Sequence, residues 1–272
     1  MRMHVGKRFM FPHNDIDACR DRLQKAQKIT EQTGGGILLI TEGVFGMSGD
    51  QGKIKEIVDL RKNEGYDFRL MVDDAHGFGT LGETGQGAGE YQGVQKEIDV
   101  LLGTFAKSMA SIGAFVCANS DVIEYLAYNM RSQIFAKSLP MPLVVGAIKR
   151  LELLKDPIHK NALWKIADAL QKGLREAGFN LGNTNSCVTP VMLSGTLGEA
   201  TKLTFDLREK YGLFCSIVTY PVVPKGMILL RLIPTAVHTL EDVSYTIETF
   251  KAIKQKLENG EYHSDELLNA NA

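Results

Sequence analysis

Short apolar runs alternate with amphipathic stretches along the chain, and this alternation predicts βα units around a mainly parallel sheet. Asn14 and Asp15 are N-cap residue types ahead of a helix that reaches about Ile29, after which Gly34-Gly35-Gly36 leads into the strand-like run 37–40. Ile54, Ile57 and Val58 share a helix face that Gly65 can stop, and residues 68–72 read as the next buried strand. Residues 98–102 form another. After the run 113–118 a helix begins near Ser120, with Val122, Ile123, Leu126 and Met130 on one side.

From Pro140 the pattern changes to longer amphipathic helices, 140–154 and 162–176, and Asp156-Pro157 between them is the expected domain junction. The remainder reads as a smaller α/β domain. Thr196 with Glu199, and Thr239 with Asp242, have capping-box spacing; Gly212 closes the first helix, and Lys251, Lys254 and Lys256 lie in the last turns of the second. Beyond Gly260 the chain has little to bury, which predicts a frayed tail. There is no repeat or low-complexity stretch.

Length and charge narrow the function classes. A chain of 272 residues accommodates one large domain or two ordinary ones, and 44% hydrophobic with 23% charged residues is a globular composition. A net charge of -1 provides no basic field for nucleic acid or for a membrane surface. Cys19, Cys117, Cys187 and Cys215 form no CxxC pair, so neither a zinc site nor a disulfide framework is expected, and a reducing, cytoplasmic setting fits best. No signal-peptide-like segment and no window of 18 apolar residues occurs. The chain opens without a first strand and enters the turn-like Pro12-His13-Asn14-Asp15 almost at once, as a chain lacking its natural beginning would.

Four places carry candidate chemistry. Gly77-Phe78-Gly79-Thr80-Leu81-Gly82 matches GxGxxG after a predicted strand, yet the continuation Glu83-Thr84-Gly85-Gln86-Gly87 is too glycine-rich for the helix that a dinucleotide pyrophosphate requires. Loop glycines are the simpler reading. Asp73, Asp74 and His76 lie at the carboxyl end of a buried strand, the edge where open α/β sheets bind ligands, although a turn-capping acid and a surface histidine would look the same. Lys107 follows another apolar strand in Gly103-Thr104-Phe105-Ala106-Lys107-Ser108; it is either a solvated lysine or an amine nucleophile and base, with the Thr104 hydroxyl three residues away. Arg231, inside the apolar run 229–233, either turns outward or meets a carboxylate.

Taken together, VDDAHGFGTLGETGQG, GTFAKSMASIGAF and LLRLIPTAVHT, with TEGVFGMSGD upstream, resemble the pyridoxal-phosphate-dependent α-oxoamine synthases from about Phe11 to Leu257. The resemblance implies a fold-type-I α/β transferase with a mostly parallel central sheet and a smaller C-terminal α/β domain. Residues 1–139 would be the C-terminal part of the cofactor-binding large domain, 140–157 a connecting helix, 158–258 the small domain and 259–272 the tail. It implies pyridoxal 5'-phosphate held on the Lys107 amine, Asp73 paired with the pyridine nitrogen, His76 near the phenolic oxygen, Thr104 on the phosphate and Arg231 on the carboxylate of the amino-acid substrate. Lys107, His76 and Asp73 would then be the catalytic residues. The implied reaction is decarboxylative condensation of an amino acid with an acyl-CoA thioester, giving an aminoketone. The implied assembly is a homodimer in which residues 131–141 cross to the partner.

Within the family, GTFAKSMASIG is most similar to the serine palmitoyltransferase branch, with 8-amino-7-oxononanoate synthase and glycine C-acetyltransferase as alternatives. Another fold-type-I enzyme such as an aminotransferase, or an inactive partner subunit, are readings from other classes. Members of the family also carry a preceding glycine-rich segment and a histidine that stacks on the cofactor ring; their absence implies an N-terminally incomplete chain that does not catalyse by itself. Gly46 and Ala136 stand where hydroxyl residues are usual, and each lost hydrogen bond to a charged group is worth roughly 1.5 to 3 kcal/mol. Lys137, beside Ala136, supplies a compensating point charge.

Overall fold

The computed structural model describes residues 6–263. They form two compact units, residues 1–45 with 51–157 and residues 46–50 with 158–272, each given over its described part. The division after Pro157 follows from chemistry: proline disfavours helix in the residue before it, and a new helix starts directly afterwards.

In the first unit, α1 (Ile16–Thr33) is capped by the Asp15 carboxylate, which accepts from the Ala18 N–H, and ends at Gly34 in the left-handed conformation. It outruns the predicted end by one turn because the glycine, not the last apolar residue, stops it. β1 (Leu38–Glu42), α2 (Ile54–Glu64) and β2 (Arg69–Asp73) follow, then the short helix α3 (Ala88–Tyr91), a 3-10 turn, β3 (Val100–Thr104) and β4 (Ala114–Ala118). The strands pair in the order β1-β2-β3-β4, the first three parallel and β4 antiparallel. A mostly parallel sheet is therefore what the chain forms. Ile54, Ile57, Val58, Leu60, Phe68, Leu70 and Val72 are essentially excluded from solvent, each burial stabilising by roughly 1.5 to 3 kcal/mol.

All three predicted parallel strands are displaced toward their C-termini by one or two residues. Backbone pairing continues past the apolar run, so Asp73 and Thr104 are the last strand residues and not the first loop residues. This puts polar side chains on the sheet's C-terminal edge. The helices α4 (Ser120–Asn129), α5 (Arg131–Phe135) and α6 (Met141–Leu154) complete the unit, and α4 has no buried residue although its apolar face was legible.

The second unit contains α7 (Ile158–Glu176), β5 (Thr189–Ser194), α8 (Leu197–Glu209), β6 (Ser216–Val218), β7 (Met227–Leu232) and α9 (Leu240–Glu258). Its sheet has the order β5-β7-β6 and is antiparallel throughout, with Pro190 tolerated because β5 is an edge strand. Both capping boxes form. The core joins Leu170, Leu174, Leu203, Leu207, Ile228, Leu230 and Phe250.

One expectation is corrected here. The tail does not fray immediately after Gly260: Tyr262 is buried in the core of the second unit, and its hydroxyl donates to Asp206 Oδ2 at 3.1 Å. A single aromatic with a polar partner holds down a segment whose composition suggested nothing to bury. The rest of the predicted tail, 264–272, lies outside the described residues.

Candidate active site

Asp73 and Lys107 are carried by neighbouring parallel strands. In the ladder Asp73 lies opposite Leu102, and the Asp74 N–H donates to the Leu102 carbonyl at 2.8 Å. β3 ends two residues later at Thr104, and Lys107 lies in the loop that turns β3 back into β4. The loop is closed by Phe105 N–H to Gly113 O (2.9 Å), Ser111 N–H to Phe105 O (2.7 Å) and Ala110 N–H to Lys107 O (2.9 Å). Ala110 takes a positive φ of 43° to make this turn. Lys107 itself is exposed, whereas Met109 two residues on is buried.

The half-buried Asp73 carboxylate accepts from the Ala75 N–H at 3.1 Å, which turns the chain toward His76. The His76 carbonyl in turn accepts from the Thr80 hydroxyl at 3.0 Å. Thr104 donates its hydroxyl proton to Gly113 O (3.1 Å) and accepts from the Ala106 N–H (3.1 Å). It therefore stabilises the Lys107 loop in this arrangement, and its proton is committed.

Each glycine of the GxGxxG stretch makes room for a particular neighbour. A Cβ on Gly77 would overlap the Asp74 carboxylate, one on Gly79 would overlap Ser108, and one on Gly82 would overlap Glu90. Glu90 organises the loop by accepting from the Thr84 N–H (3.1 Å) and the Gln86 N–H (2.9 Å). The helix that follows directly, α3, is four residues long. No pyrophosphate-binding helix opens from this turn, which agrees with reading these residues as loop glycines.

Asp74 is the residue that sequence reasoning undervalued. Its side chain is buried, 1% exposed, with Oδ2 accepting from the Ala88 N–H at 2.7 Å and Oδ1 without a hydrogen bond. A Cβ at Gly43, Gly77 or Gly87 would overlap this carboxylate. Desolvation, reinforced by the adjacent Asp73 charge, pushes it up to about 6 against the lowering effect of the Ala88 and Gly77 backbone. The signal in the sequence was a second acid just after the run 70–72, but its partner Ala88 lies fourteen residues away across a loop.

Arg231 belongs to the second unit, on β7 opposite Pro190 and Ser216. Its Nη1 donates to the Gly46 carbonyl at 2.8 Å, while the buried Nε has no partner. Segment 46–50 is held in this unit because the Gly49 carbonyl accepts from the Thr184 hydroxyl (3.2 Å) and from the Asn185 N–H (3.3 Å). Ala136 and Lys137 are both exposed.

Three of the four cysteines are buried, and Cys117 is exposed. All four are free, and burial pushes the thiols of Cys19, Cys187 and Cys215 up to about 11, about 12 and about 11. No group of acids, histidines and cysteines with metal-binding geometry occurs among the described residues, and no described helix is long and apolar enough to cross a membrane.

Residues 2–250 match the family profile of aminotransferase class I and II. The chain belongs to that family. It is 60% identical, over 97% of its length, to a cysteate-C-fatty acyltransferase of Capnocytophaga ochracea, and it spans 63% of that protein. It is 33% identical to a serine palmitoyltransferase of Sphingobacterium spiritivorum, over 94% of the chain and 62% of the relative. Among solved structures, Sphingomonas wittichii serine palmitoyltransferase superimposes with a TM-score of 0.80 at 32% identity, covering 89% of this chain and 59% of that one. A high-resolution structure of SPT with a PLP internal aldimine gives 0.81 at 31%, covering 90% and 60%. The chain thus spans less than two thirds of these relatives. The fold is that of fold-type-I transferases, and the resemblance read from four motifs is borne out.

Proposed function

We propose that this chain serves a pyridoxal-phosphate-dependent acyltransferase of the α-oxoamine synthase kind, joining a fatty acyl group to the Cα of cysteate. The observation that carries this reading is 60% identity to a cysteate-C-fatty acyltransferase, nearly twice that to serine palmitoyltransferase. This narrows the branch suggested by GTFAKSMASIG alone. The new bond joins the acyl carbonyl carbon to Cα; the thiol of the acyl thioester leaves, the Cα carboxyl leaves as carbon dioxide, and the product is a long-chain aminoketone bearing a sulfonate.

The donor set fits the cofactor: an exposed amine at Lys107 and a carboxylate at Asp73 stand at the ends of adjacent strands. When bound, pyridoxal phosphate supplies an electron-withdrawing ring that stabilises negative charge at Cα. Lys107 would hold it through its amine and would move the Cα proton. Asp73 would pair with the ring nitrogen and help keep it positively charged, and His76 would donate to the phenolic oxygen. Thr104, whose hydroxyl now donates to Gly113 O, would have to release that bond to donate to the phosphate. By the family resemblance Arg231 would hold the amino-acid carboxylate; within the second unit its Nη1 donates to the Gly46 carbonyl.

The assembly proposed is a homodimer. Residues 131–141 are exposed throughout, Phe135 at 76% and Ile134 at 49%, with Tyr128 on α4 at 75%. Aromatic and aliphatic anchors of this kind are what dimer contacts bury. The reading is tested by supplying the full-length protein with pyridoxal phosphate, a fatty acyl-CoA and cysteate, serine, glycine or alanine in turn, measuring CoA release and product mass. Cysteate is expected to be preferred; preference for serine would return the chain to the palmitoyltransferase branch.

A further inference from the structure

We propose that the glycine loop 77–87 is a brace that holds the Lys107 loop against the strand end bearing Asp73, with Ser108 and Asp74 as its two positioning residues. The proposal deepens the reading of Lys107 and Asp73 given above and rests on it.

A lysine side chain is flexible, and that of Lys107 is exposed, so its placement depends on its backbone. That backbone belongs to a turn whose own hydrogen bonds close it locally without fixing its direction. The outward tie is made by the next residue: Ser108 Oγ donates to the Phe78 carbonyl of the glycine loop at 2.8 Å. Gly79, at a φ of +82°, leaves open the space that Ser108 fills. Phe78 also packs edge-on against Phe115 of β4, ring centroids 4.9 Å apart, and Phe115 contacts Phe105 at 5.3 Å.

At its other end the glycine loop is fastened to Asp74. The Ala88 N–H donates to Oδ2, and Gly77 and Gly87 close around the carboxylate. Between the two anchors the loop is stiffened by Gly79 N–H to Gly85 O (2.8 Å), by Gly87 N–H to Leu81 O (3.0 Å) and by the Glu90 carboxylate. A continuous set of bonds therefore runs from the residue after Asp73 to the residue after Lys107. Reaction rates are sensitive to such placement, because misplacing a reacting group by about 1 Å can cost on the order of a hundredfold.

The test uses Ser108→Ala, Ser108→Thr and the wild type. In cofactor-free protein, hydrogen exchange of peptides covering 103–113 should quicken about fivefold in S108A, the loss of one ordinary hydrogen bond, and stay near wild type in S108T. With pyridoxal 5'-phosphate added, capture on Lys107, read by mass after borohydride, should slow in S108A; kcat should fall about tenfold with KM for the amino acid little changed, and S108T should restore both. Unchanged exchange in S108A overturns the brace. Faster exchange with unaltered capture and kcat overturns its assigned role. A wild type that captures no cofactor overturns the functional reading instead, and the exchange measurement still decides whether the brace exists.

Discussion

Asp74 receives the Ala88 N–H at 2.7 Å on one carboxylate oxygen while its other oxygen is buried with no hydrogen bond. Asp73, its neighbour, is only half buried and bonds the Ala75 N–H. Two adjacent acids at one strand end thus live in different solvents. The glycines at 43, 77 and 87 are what allow the chain to close so tightly around Asp74, and its raised pKa follows from that burial.

The pH dependence of stability has a definite sign. Asp74 has its folded value raised to about 6 from 3.8, so between these values the folded state holds more protons than the unfolded one. Its contribution therefore favours folding at low pH and is lost as pH rises through about 6. Asp206, Glu199 and Asp242 have lowered values and act in the opposite direction at lower pH. The clean measurement is the difference in denaturant unfolding between wild type and Asp74→Asn, which should move by on the order of 2 kcal/mol against the wild type from pH 4 to pH 7. A difference independent of pH would show that Asp74 stays ionised.

Lys107 is expected to carry the cofactor. Reduction with borohydride after loading should place the cofactor mass on the peptide containing Lys107, and Lys107→Ala should abolish both this label and CoA release. A label on another lysine would reassign the site.

Asp73→Asn should fold, because the half-buried carboxylate makes a single local bond that an amide oxygen can also accept. Turnover should nevertheless fall about tenfold to a hundredfold, the range for removing the charge from one hydrogen-bonded ionic partner. Far-UV circular dichroism with CoA release separates the two effects, and normal turnover would remove Asp73 from the mechanism.

The three parallel strands of the first unit, most helices and both capping boxes could be read from local pattern, since each depends on residues within a few positions. Asp73, His76, Thr104 and Lys107 were visible because polar residues directly follow apolar strands. What was not legible depends on distant contacts: Thr184 holding Gly49 across 135 residues, Ser108 reaching Phe78, and Tyr262 reaching Asp206. The placement of Arg231 was likewise open, because Pro190, Ser216 and Gly46 meet it only through the fold. The displaced strand ends have the same origin, as ladder pairing extends beyond the hydrophobic run that predicts a strand.

Tyr262 supplies a test of the corrected tail. Tyr262→Ala removes a buried ring and the hydrogen bond to Asp206, and should destabilise the second unit by about 3 to 5 kcal/mol, as for other large aromatic truncations. Tyr262→Phe removes only the hydroxyl and should cost about 1 kcal/mol, because Lys210 at 2.7 Å and Lys256 at 3.1 Å still pair with Asp206. Urea unfolding of the two variants reads both numbers. Equal stabilities would mean that the tail contributes nothing.

The homodimer is tested at Phe135. This ring is 76% exposed in the single chain, with the Arg131 guanidinium 5.9 Å from its centroid, and α4 beside it buries none of its residues. A face of this composition gains stability when a second surface covers it, and an aromatic at its centre dominates that gain. Phe135→Asp introduces a charge that must be desolvated on association while leaving the isolated chain's core untouched. Light scattering at micromolar concentration should give the mass of two chains for wild type and a shift toward one for the variant, with an unchanged circular dichroism spectrum. A wild type that scatters as a single chain while retaining turnover would defeat the assembly.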